Sequence, residues 1–383
     1  MKQIRQNYKW IIVLVVFSTC HKQVEVLFRD SLITSNKRIE IKKLQFDTIR
    51  LDRIESSYLG SIKIVGDSIY FIDKRFCWVF TFDKNGKYLN RYLGRGEGPY
   101  ELNTSKISAF EKLNNGDLLF VNPSNKCFVY DDVFKIKKVY RMSKVYNKIK
   151  YMHSDNIDPS MDWIYTLSYN KLIIRNYKGY AYFNIYCEHP LFNSIITPQR
   201  YFKHCRLLAK MDLKDGAIEK MYGRFSPVYQ DNEYLKYLIF ISYDITNSGN
   251  FYICFEADSL IYEYDSKYNL IGAFGFKGRD MDQDYAKINS IQQFKSVGRN
   301  DREEKGYYDW VEYIDEKEML FRSYKKGSQF NSDGLQIYNN KVLIADVDVP
   351  KNLRVIGYIK PYIYSEAIID EEREIITIYR FKI

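Results

Sequence analysis

Three glycines separated by single residues form the stretch of this sequence that most resembles a ligand-binding loop. Residues 94–102 read Gly-Arg-Gly-Glu-Gly-Pro-Tyr-Glu-Leu. A phosphate-binding loop needs a helix directly behind it, because the first N–H groups of that helix point at the anion. Pro99 instead follows the last glycine, and no amphipathic helix pattern comes after it. The sequence therefore predicts a connecting turn here and not a nucleotide site.

Mixed arginine, carboxylate and tyrosine side chains around this turn, and around a similar turn later in the chain, could bind a sugar or a peptide. The candidate binding residues are Arg75, Arg95, Glu97, Tyr100, Glu256, Asp258, Lys277 and Arg279. The alternative is that they are solvated loop residues that contact no ligand.

Other patterns for metal binding or catalysis are incomplete. Asp280, Asp282 and Asp284 alternate like the ligands of a calcium loop, but Tyr285 replaces the glycine and Ile291 the bidentate glutamate that such a loop needs. The four histidines are dispersed and form no HExxH motif. We therefore predict no metal site, cofactor or catalytic residue, with calcium at residues 280–284 kept as an alternative. Paired carboxylates for glycoside chemistry stay open, because their separation depends on the fold.

The N-terminus has the pattern of an export signal. Basic residues precede an apolar run at residues 10–17, which is too short to span a bilayer as a helix. Ser18, Thr19 and Cys20 follow and resemble a bacterial lipobox, although Phe17 and Thr19 depart from its usual residues. We predict a signal peptide at residues 1–19, lipidation of Cys20 and a tether over residues 20–37. The alternatives are an ordinary cleaved signal or an uncleaved anchor.

Composition favours a sheet protein and argues against a nucleic-acid partner. Aromatic residues make up 17% of the 383 residues, with 36 Tyr and 24 Phe, and such residues suit strands. The formal charge is +10, but the basic residues are scattered among 48 acidic ones, whereas a nucleic-acid groove requires clustering. The five cysteines after Cys20 show no CxxC spacing and cannot all pair.

A unit of four short strands recurs along the chain. In its first copy, apolar runs at residues 62–65, 68–73, 78–82 and 87–92 are separated by turns such as Asn85-Gly86. Residues 106–141 repeat the plan, a third copy is looser, and residues 251–279 repeat it clearly. Such units of about 40–50 residues are typical of a β-propeller. A two-sheet sandwich is the alternative.

About six blades are expected, in a single all-β domain at residues 38–383, with five or seven as alternatives because the third and fifth copies are degraded. The last hairpins lack a strand, and the isolated strand pattern at residues 38–51 can supply it, which closes the ring and removes exposed edges. In such a ring, blade-to-blade connections share one face with the loops between second and third strands. This geometry predicts that the candidate binding residues lie on one rim.

The four-strand unit ending in residues 93–102, behind a lipobox-like N-terminus, resembles the six-bladed β-propeller lipoproteins of Bacteroidetes. These are relatives of NHL and TolB-like propellers, and many are described only as a domain of unknown function. The resemblance covers residues 38–383. It implies a propeller exported to the cell envelope, and it carries no catalytic residues to transfer.

Two functional hypotheses follow. The first is a monomeric, non-catalytic binding module, attached to the membrane by a lipid on Cys20, for a glycan or an envelope protein. The second is a metal-dependent propeller enzyme of the lactonase or polysaccharide lyase type.

Overall fold

Six antiparallel sheets form the blades of a closed ring in the computed structural model. The structure describes residues 27–142, 157–161, 164–232, 234–288 and 290–383. The prediction of an all-β, six-bladed propeller is confirmed. The predicted signal peptide and Cys20 lie outside the described residues. None of the helices in the described ranges is long and apolar enough to cross a membrane.

The strands follow the repeat plan blade by blade. Three N-terminal strands precede the blades: β1 (Ile33–Thr34), β2 (Asn36–Ile41) and β3 (Asp47–Arg50). Blade 1 comprises β4 (Gly60–Val65), β5 (Ser68–Asp73), β6 (Trp78–Phe82) and β7 (Tyr88–Leu93). Blade 2 comprises β8 (Ala109–Lys112), β9 (Leu118–Val121), β10 (Lys126–Tyr130) and β11 (Ile136–Arg141). Blade 3 comprises β12 (Tyr165–Leu167), β13 (Ile174–Tyr177), β14 (Tyr180–Cys187), β15 (Leu208–Asp212) and β16 (Ile218–Tyr222).

The second half of the ring contains the remaining blades. Blade 4 comprises β17 (Ile241–Ile245), β18 (Phe251–Phe255), β19 (Ile261–Tyr264) and β20 (Leu270–Phe274). Blade 5 comprises β21 (Tyr307–Ile314), β22 (Met319–Lys325), β23 (Asp333–Asn339) and β24 (Val342–Val349). Blade 6 comprises β25 (Val355–Ile359), β26 (Tyr362–Ser365), β27 (Ile368–Asp370) and β28 (Ile375–Phe381).

The N-terminal strand β3 closes the ring. It pairs antiparallel with β28, with Ile49 opposite Ile378. The Asn85-Gly86 turn of blade 1 lies against this strand. A Cβ on Gly86 would lie 2.7 Å from Ile49 Cγ2, and the residue has a φ of +88°, so both space and backbone conformation favour glycine. Closure by the N-terminal strand is thus confirmed.

The rest of the N-terminal segment differs from the prediction. Residues 38–51 do not form one strand, because β2 pairs in parallel with β24 on the outer edge of blade 5. The preceding β1 pairs in parallel with β20 of blade 4, and the Tyr264 hydroxyl donates to the Leu27 carbonyl at 2.9 Å. Residues 27–37, predicted as tether, are therefore packed on the propeller.

Helices occur where the repeat is interrupted. Short helices α1 (Pro198–His204) and α2 (Pro227–Asp231) lie in and after blade 3, the copy with the loosest sequence pattern. Helix α3 (Ile291–Glu304) lies in the connection from blade 4 to blade 5, where the sequence showed only a polar insertion. Its N-terminus is capped by the Ser290 hydroxyl, which accepts from the Gln293 N–H at 3.2 Å.

Each blade contributes its first strand to the central channel. These inner strands are β4, β8, β13, β17, β21 and β25, and in blade 3 a 3-10 turn at Tyr169–Lys171 separates β12 from β13. We call the face with the blade-to-blade connections the upper face, and the face with the hairpins between first and second strands the lower face. The five cysteines within the described residues are buried and unpaired, as small apolar groups would be.

Candidate functional site in the central channel

The glycine-rich turn at residues 94–102 joins blade 1 to blade 2 and is built around the Glu101 carboxylate. The Gly98 N–H donates to Glu101 Oε2 at 2.9 Å, and a Cβ on Gly96 would overlap the same oxygen. The Leu102 N–H donates to the Gly94 carbonyl at 2.8 Å. The glycines therefore make room for a side chain of the turn itself, which explains them without a phosphate.

The four candidate residues near this turn are exposed. The Arg95 guanidinium donates to the Arg75 carbonyl, and Glu97 accepts from the Asn103 amide at 3.1 Å. Tyr100 is 54% exposed. These side chains do lie at the upper face, but their contacts are local to the connection between blades 1 and 2.

The acidic candidates of the fourth repeat are buried, unlike those near the glycine-rich turn. Glu256 is only 1% exposed and Asp258 only 2% exposed. Asp258 accepts from the Tyr262 hydroxyl at 2.9 Å within its own blade. Glu256 is held by Arg302 of α3, a helix that the sequence analysis did not predict.

The basic candidates of the fourth repeat are exposed and separate from the first group. Lys277 is exposed, and Arg279 forms an ion pair with Asp348 of blade 5 at 2.7 Å. Because blades 1 and 4 lie opposite each other in a six-membered ring, the structure does not bring the two halves of the predicted rim together.

The upper end of the channel instead contains a buried charge network, the upper charge layer, formed by Lys171, Glu256, Arg302, Asp309 and Arg354. Arg302 and Arg354 hold Glu256 and Asp309, respectively, through two hydrogen bonds each, of 2.6 to 2.8 Å. Lys171 lies 3.6 Å from Asp309 and 4.0 Å from Glu256, and its amine makes no hydrogen bond with the described residues.

Burial and neighbouring charges set the protonation of this layer. Burial lowers the pKa of the Lys171 amine, although the charges of Asp309 and Glu256 oppose this. Burial alone would raise the pKa of Asp309, but the charges of Arg354 and Lys171 outweigh it and lower that pKa below its ordinary value. Asp309 is thus held as a carboxylate.

Trp310 separates this layer from a second one below it. The guanidinium of Arg354 lies 5.6 Å from the centre of its ring, and that of Arg175 lies 5.7 Å from it. The indole N–H donates to Glu312 Oε2 at 3.1 Å. One aromatic ring therefore contacts a cation from each layer.

The lower charge layer consists of Lys63, Glu111, Arg175, Asp244 and Glu312, one residue from the inner strand of each of blades 1 to 5. Arg175 donates to Asp244 at 2.5 Å and to Glu312 at 2.6 Å. Lys63 forms an ion pair with Glu111 at 3.1 Å. Blade 6 has Gly357 next to this ring, where a Cβ would lie 2.8 Å from Ile64 Cβ of blade 1.

Two carboxylates, Asp244 and Glu312, share the single guanidinium of Arg175, and the pKa of Glu312 is raised mainly by its burial. Burial raises the pKa of Glu312 to about 8, with Asp244 and Glu111 adding to the effect and Arg175 opposing it. Glu312 Oε1 receives no hydrogen bond from the described residues, whereas Oε2 receives two. The layer can therefore take up or release a proton near neutral pH.

A cavity of about 230 Å³ opens from this layer toward the lower face. All six blades contribute to its wall. Besides the lower charge layer, its polar lining includes Lys112, Asn114, Asn176, Thr246, Asn247 and Asp315. A concave site with planar carboxylate, amide and guanidinium groups can bind the hydroxyl groups of a small polar ligand from several sides.

The carboxylates of both charge layers form ion pairs with arginine or lysine, which leaves them less suited to bind a metal ion. Within the described ranges, no group of three or more His, Cys, Asp or Glu side chains is arranged to hold an ion. The structure thus adds no observation that favours the metal-dependent alternative.

The sequence analysis missed the lower charge layer, although a signal for it was present. Each of five inner strands carries one charged residue directly after an apolar one, as in Ile174-Arg175 and Val311-Glu312. In an inner strand, one set of alternating side chains faces the channel. Aligning the repeats at their first strands would have placed these charges in one ring.

Comparison with solved structures agrees with the fold. A member of the DUF4221 family from Bacteroides vulgatus superposes with a TM-score of 0.60 at 11% identity, covering 88% of this chain and 96% of that chain. A putative exported protein from Bacteroides fragilis gives a TM-score of 0.54 at 15% identity, covering 91% and 98%. The chain shares its propeller fold with these Bacteroides proteins, as the resemblance found in the sequence had indicated. Models of known families give no match, and neither do curated protein sequences.

Proposed function

We propose that this protein is a cell-envelope lipoprotein, anchored by a lipid on Cys20, whose propeller binds a glycan at the lower mouth of its channel. The observation that carries the proposal is the 230 Å³ cavity, whose wall has polar side chains from blades 1 to 5 and Ile356 from blade 6. Binding, and not catalysis, is the proposed activity.

The shape of the site favours a sugar over a protein surface. Protein partners bind through broad surfaces of about 800 Å² on each side, and a concave cavity of 230 Å³ offers no such surface. The cavity is also smaller than ligand pockets of about 300–1,000 Å³. Its volume suits one small polar unit. Its lining of Asn, Asp, Glu, Arg and Lys side chains supplies both donors and acceptors, as the hydroxyl groups of a sugar require.

The envelope location is supported by the sequence and by one comparison. The basic and apolar pattern before Cys20 is that of an export signal, and the Bacteroides fragilis protein with the same fold is described as exported. Replacing Cys20 with Ala should release the protein from the membrane fraction of cells. Unchanged fractionation would contradict lipid anchoring at Cys20.

A glycan array tests the binding function. Residues 21–383 should bind a subset of glycans, and Glu111→Gln with Lys63→Met should weaken that binding at least about tenfold, which corresponds to about 1.4 kcal/mol. Changing both members of this ion pair leaves neither of them without its partner. Arg75→Ala with Tyr100→Ala, on the upper face, is the matched control and should change nothing.

Two results would contradict the proposal. Absence of binding to every glycan would remove the function. Loss of binding in the Arg75 and Tyr100 variant, with the Glu111 and Lys63 variant unaffected, would move the site to the upper rim that the sequence predicted.

A further inference from the structure

A second cavity adjoins the channel mouth on the lower face, between blades 2 and 3. Its volume is about 540 Å³. Three apolar side chains, Leu113, Val129 and Leu213, contribute to its wall, and Asp117, Lys137 and Lys138 contribute charged groups. We call it the outer cavity; it is more than twice as large as the 230 Å³ cavity described above, the channel cavity.

The two cavities share part of their wall. Asn114 and Asn176 line both of them. The Asn114 N–H donates to Asn176 Oδ1 at 2.8 Å, and Asn176 Nδ2 donates to the Lys112 carbonyl at 2.8 Å. The Asn176 side chain of blade 3 is thus held by two backbone groups of blade 2, and the two cavities adjoin at this fixed amide.

Two ammonium groups on this path lack a carboxylate partner. Lys137 is neutralised by Asp117, with contacts of 2.8 and 2.9 Å. Lys138 in the outer cavity and Lys112 in the channel cavity form no ion pair with any of the described residues. The Lys138 amine lies 5.1 Å from the centre of the Tyr140 ring. An anionic group in the outer cavity would therefore meet an uncompensated positive charge.

We propose that the ligand is an acidic oligosaccharide, with one unit in the channel cavity and its next units in the outer cavity, where a carboxylate contacts Lys138. This inference rests on the proposed glycan-binding function and deepens it. The apolar wall of Leu113, Val129 and Leu213 suits the C–H face of a sugar ring, and the amides and charges suit its hydroxyl and carboxylate groups. Continuity of the two cavities selects an oligomer over a single sugar.

Calorimetry on the full-length protein in detergent tests the inference with two length series. The acidic probes are galacturonic acid and its oligomers of two to four units, and the neutral probes are glucose and the cello-oligosaccharides of the same lengths. The acidic trimer should bind at least about tenfold more tightly than galacturonic acid, as expected when a second cavity is occupied. It should also bind more tightly than cellotriose.

Two variants separate the outer cavity from the rest of the surface. Lys138→Ala should weaken binding of the acidic trimer about fivefold and leave binding of galacturonic acid unchanged. Lys135→Ala removes an exposed lysine from the turn before the same strand, outside the cavity lining, and should have no effect.

Equal affinity for one and three units, or an unchanged trimer affinity in Lys138→Ala, would overturn the two-cavity inference while leaving glycan binding intact. Failure of both series would also overturn it. The glycan array decides the proposed function separately, because it does not depend on these probes.

Discussion

Arg175 of blade 3 donates a hydrogen bond of 2.6 Å to Glu312 of blade 5, although blade 4 lies between these blades in the ring. The same guanidinium donates to Asp244 of blade 4 at 2.5 Å. Three consecutive blades are thus joined at one side chain, whose exposed fraction is only 7%. Breaking this junction affects the channel wall and the packing of the blades together.

Replacing Arg175 with Met should be strongly destabilising. It leaves Asp244 and Glu312 buried without a cation, and removing one partner of a buried ion pair costs about 3–5 kcal/mol. Denaturant unfolding followed by tryptophan fluorescence measures the loss. Adding Asp244→Asn to Arg175→Met should recover part of it, since the buried carboxylate that has lost its cation disappears. An Arg175→Met protein as stable as the wild type would contradict this account of the layer.

Stability should fall as the pH rises from about 5 to 8. The pKa of Glu312 is raised from 4.5 to about 8 in the folded protein, so within this window the folded state binds more protons than the unfolded state. The stabilising effect of that proton is complete below the unfolded pKa and is lost as the pH passes the folded one.

The Glu312→Gln variant isolates this contribution, because glutamine keeps the shape and cannot titrate. The difference in melting temperature between Glu312→Gln and the wild type should increase from pH 5 to pH 8. A difference that stays constant over this range would show that Glu312 titrates with an ordinary pKa.

Replacing Lys171 and replacing Arg354 should change the free energy of unfolding by very different amounts. Lys171 makes no hydrogen bond with the described residues, and Asp309 and Glu256 each keep an arginine without it. Lys171→Met should therefore be neutral or stabilising, because it removes the desolvation cost of a buried amine and leaves neither carboxylate without a cation. Arg354→Met takes the bidentate partner from Asp309 and should cost about 3–5 kcal/mol. Thermal melting of the two variants side by side tests this, and equal losses would contradict it.

Gly96→Ala should cost about 1 kcal/mol of stability. The new Cβ displaces the Glu101 carboxylate, which then loses its hydrogen bond to the Gly98 N–H. In a Glu101→Ala background the same change should cost almost nothing, because the overlapping group is gone. Unfolding of the four proteins forms a double-mutant cycle. Equal costs in both backgrounds would show that backbone conformation, and not Glu101, requires the glycine.

The fold was largely predictable because its signals are local. Short apolar strands separated by turns such as Asn85-Gly86 repeat along the chain, and each repeat forms one blade. The closing strand was also predictable, because blade 6 lacked a partner for β28. The parallel pairing of β1 and β2 with blades 4 and 5 was not predictable. Both strands are short and mostly exposed, so their sequences lack the alternation of buried and exposed residues that would indicate a partner.

The site was less predictable, because it depends on which charges meet across the ring. Loop residues such as Tyr100 were predicted because the ligand sites of propellers usually lie around the channel mouth, on the face with the blade-to-blade connections. Arg175 and Asp244 are separated by 69 residues, and only the radius and register of the ring bring them together. Arg302 of helix α3 donates hydrogen bonds to the buried Glu256. The polar sequence of this insertion does not indicate which side of the helix packs against the channel.

The pairing of Ile49 with Ile378 has a consequence for the order of folding. Ribosomes make the closing strand before any blade exists and make its partner β28 last. Contacts of such high sequence separation form slowly, because a long loop must close first. Each blade can form its own hairpins as it is made, but the ring stays open until the final strand is present. A chain without β28 therefore cannot close the ring, and deleting the residues of this one strand should be as damaging as losing a whole blade.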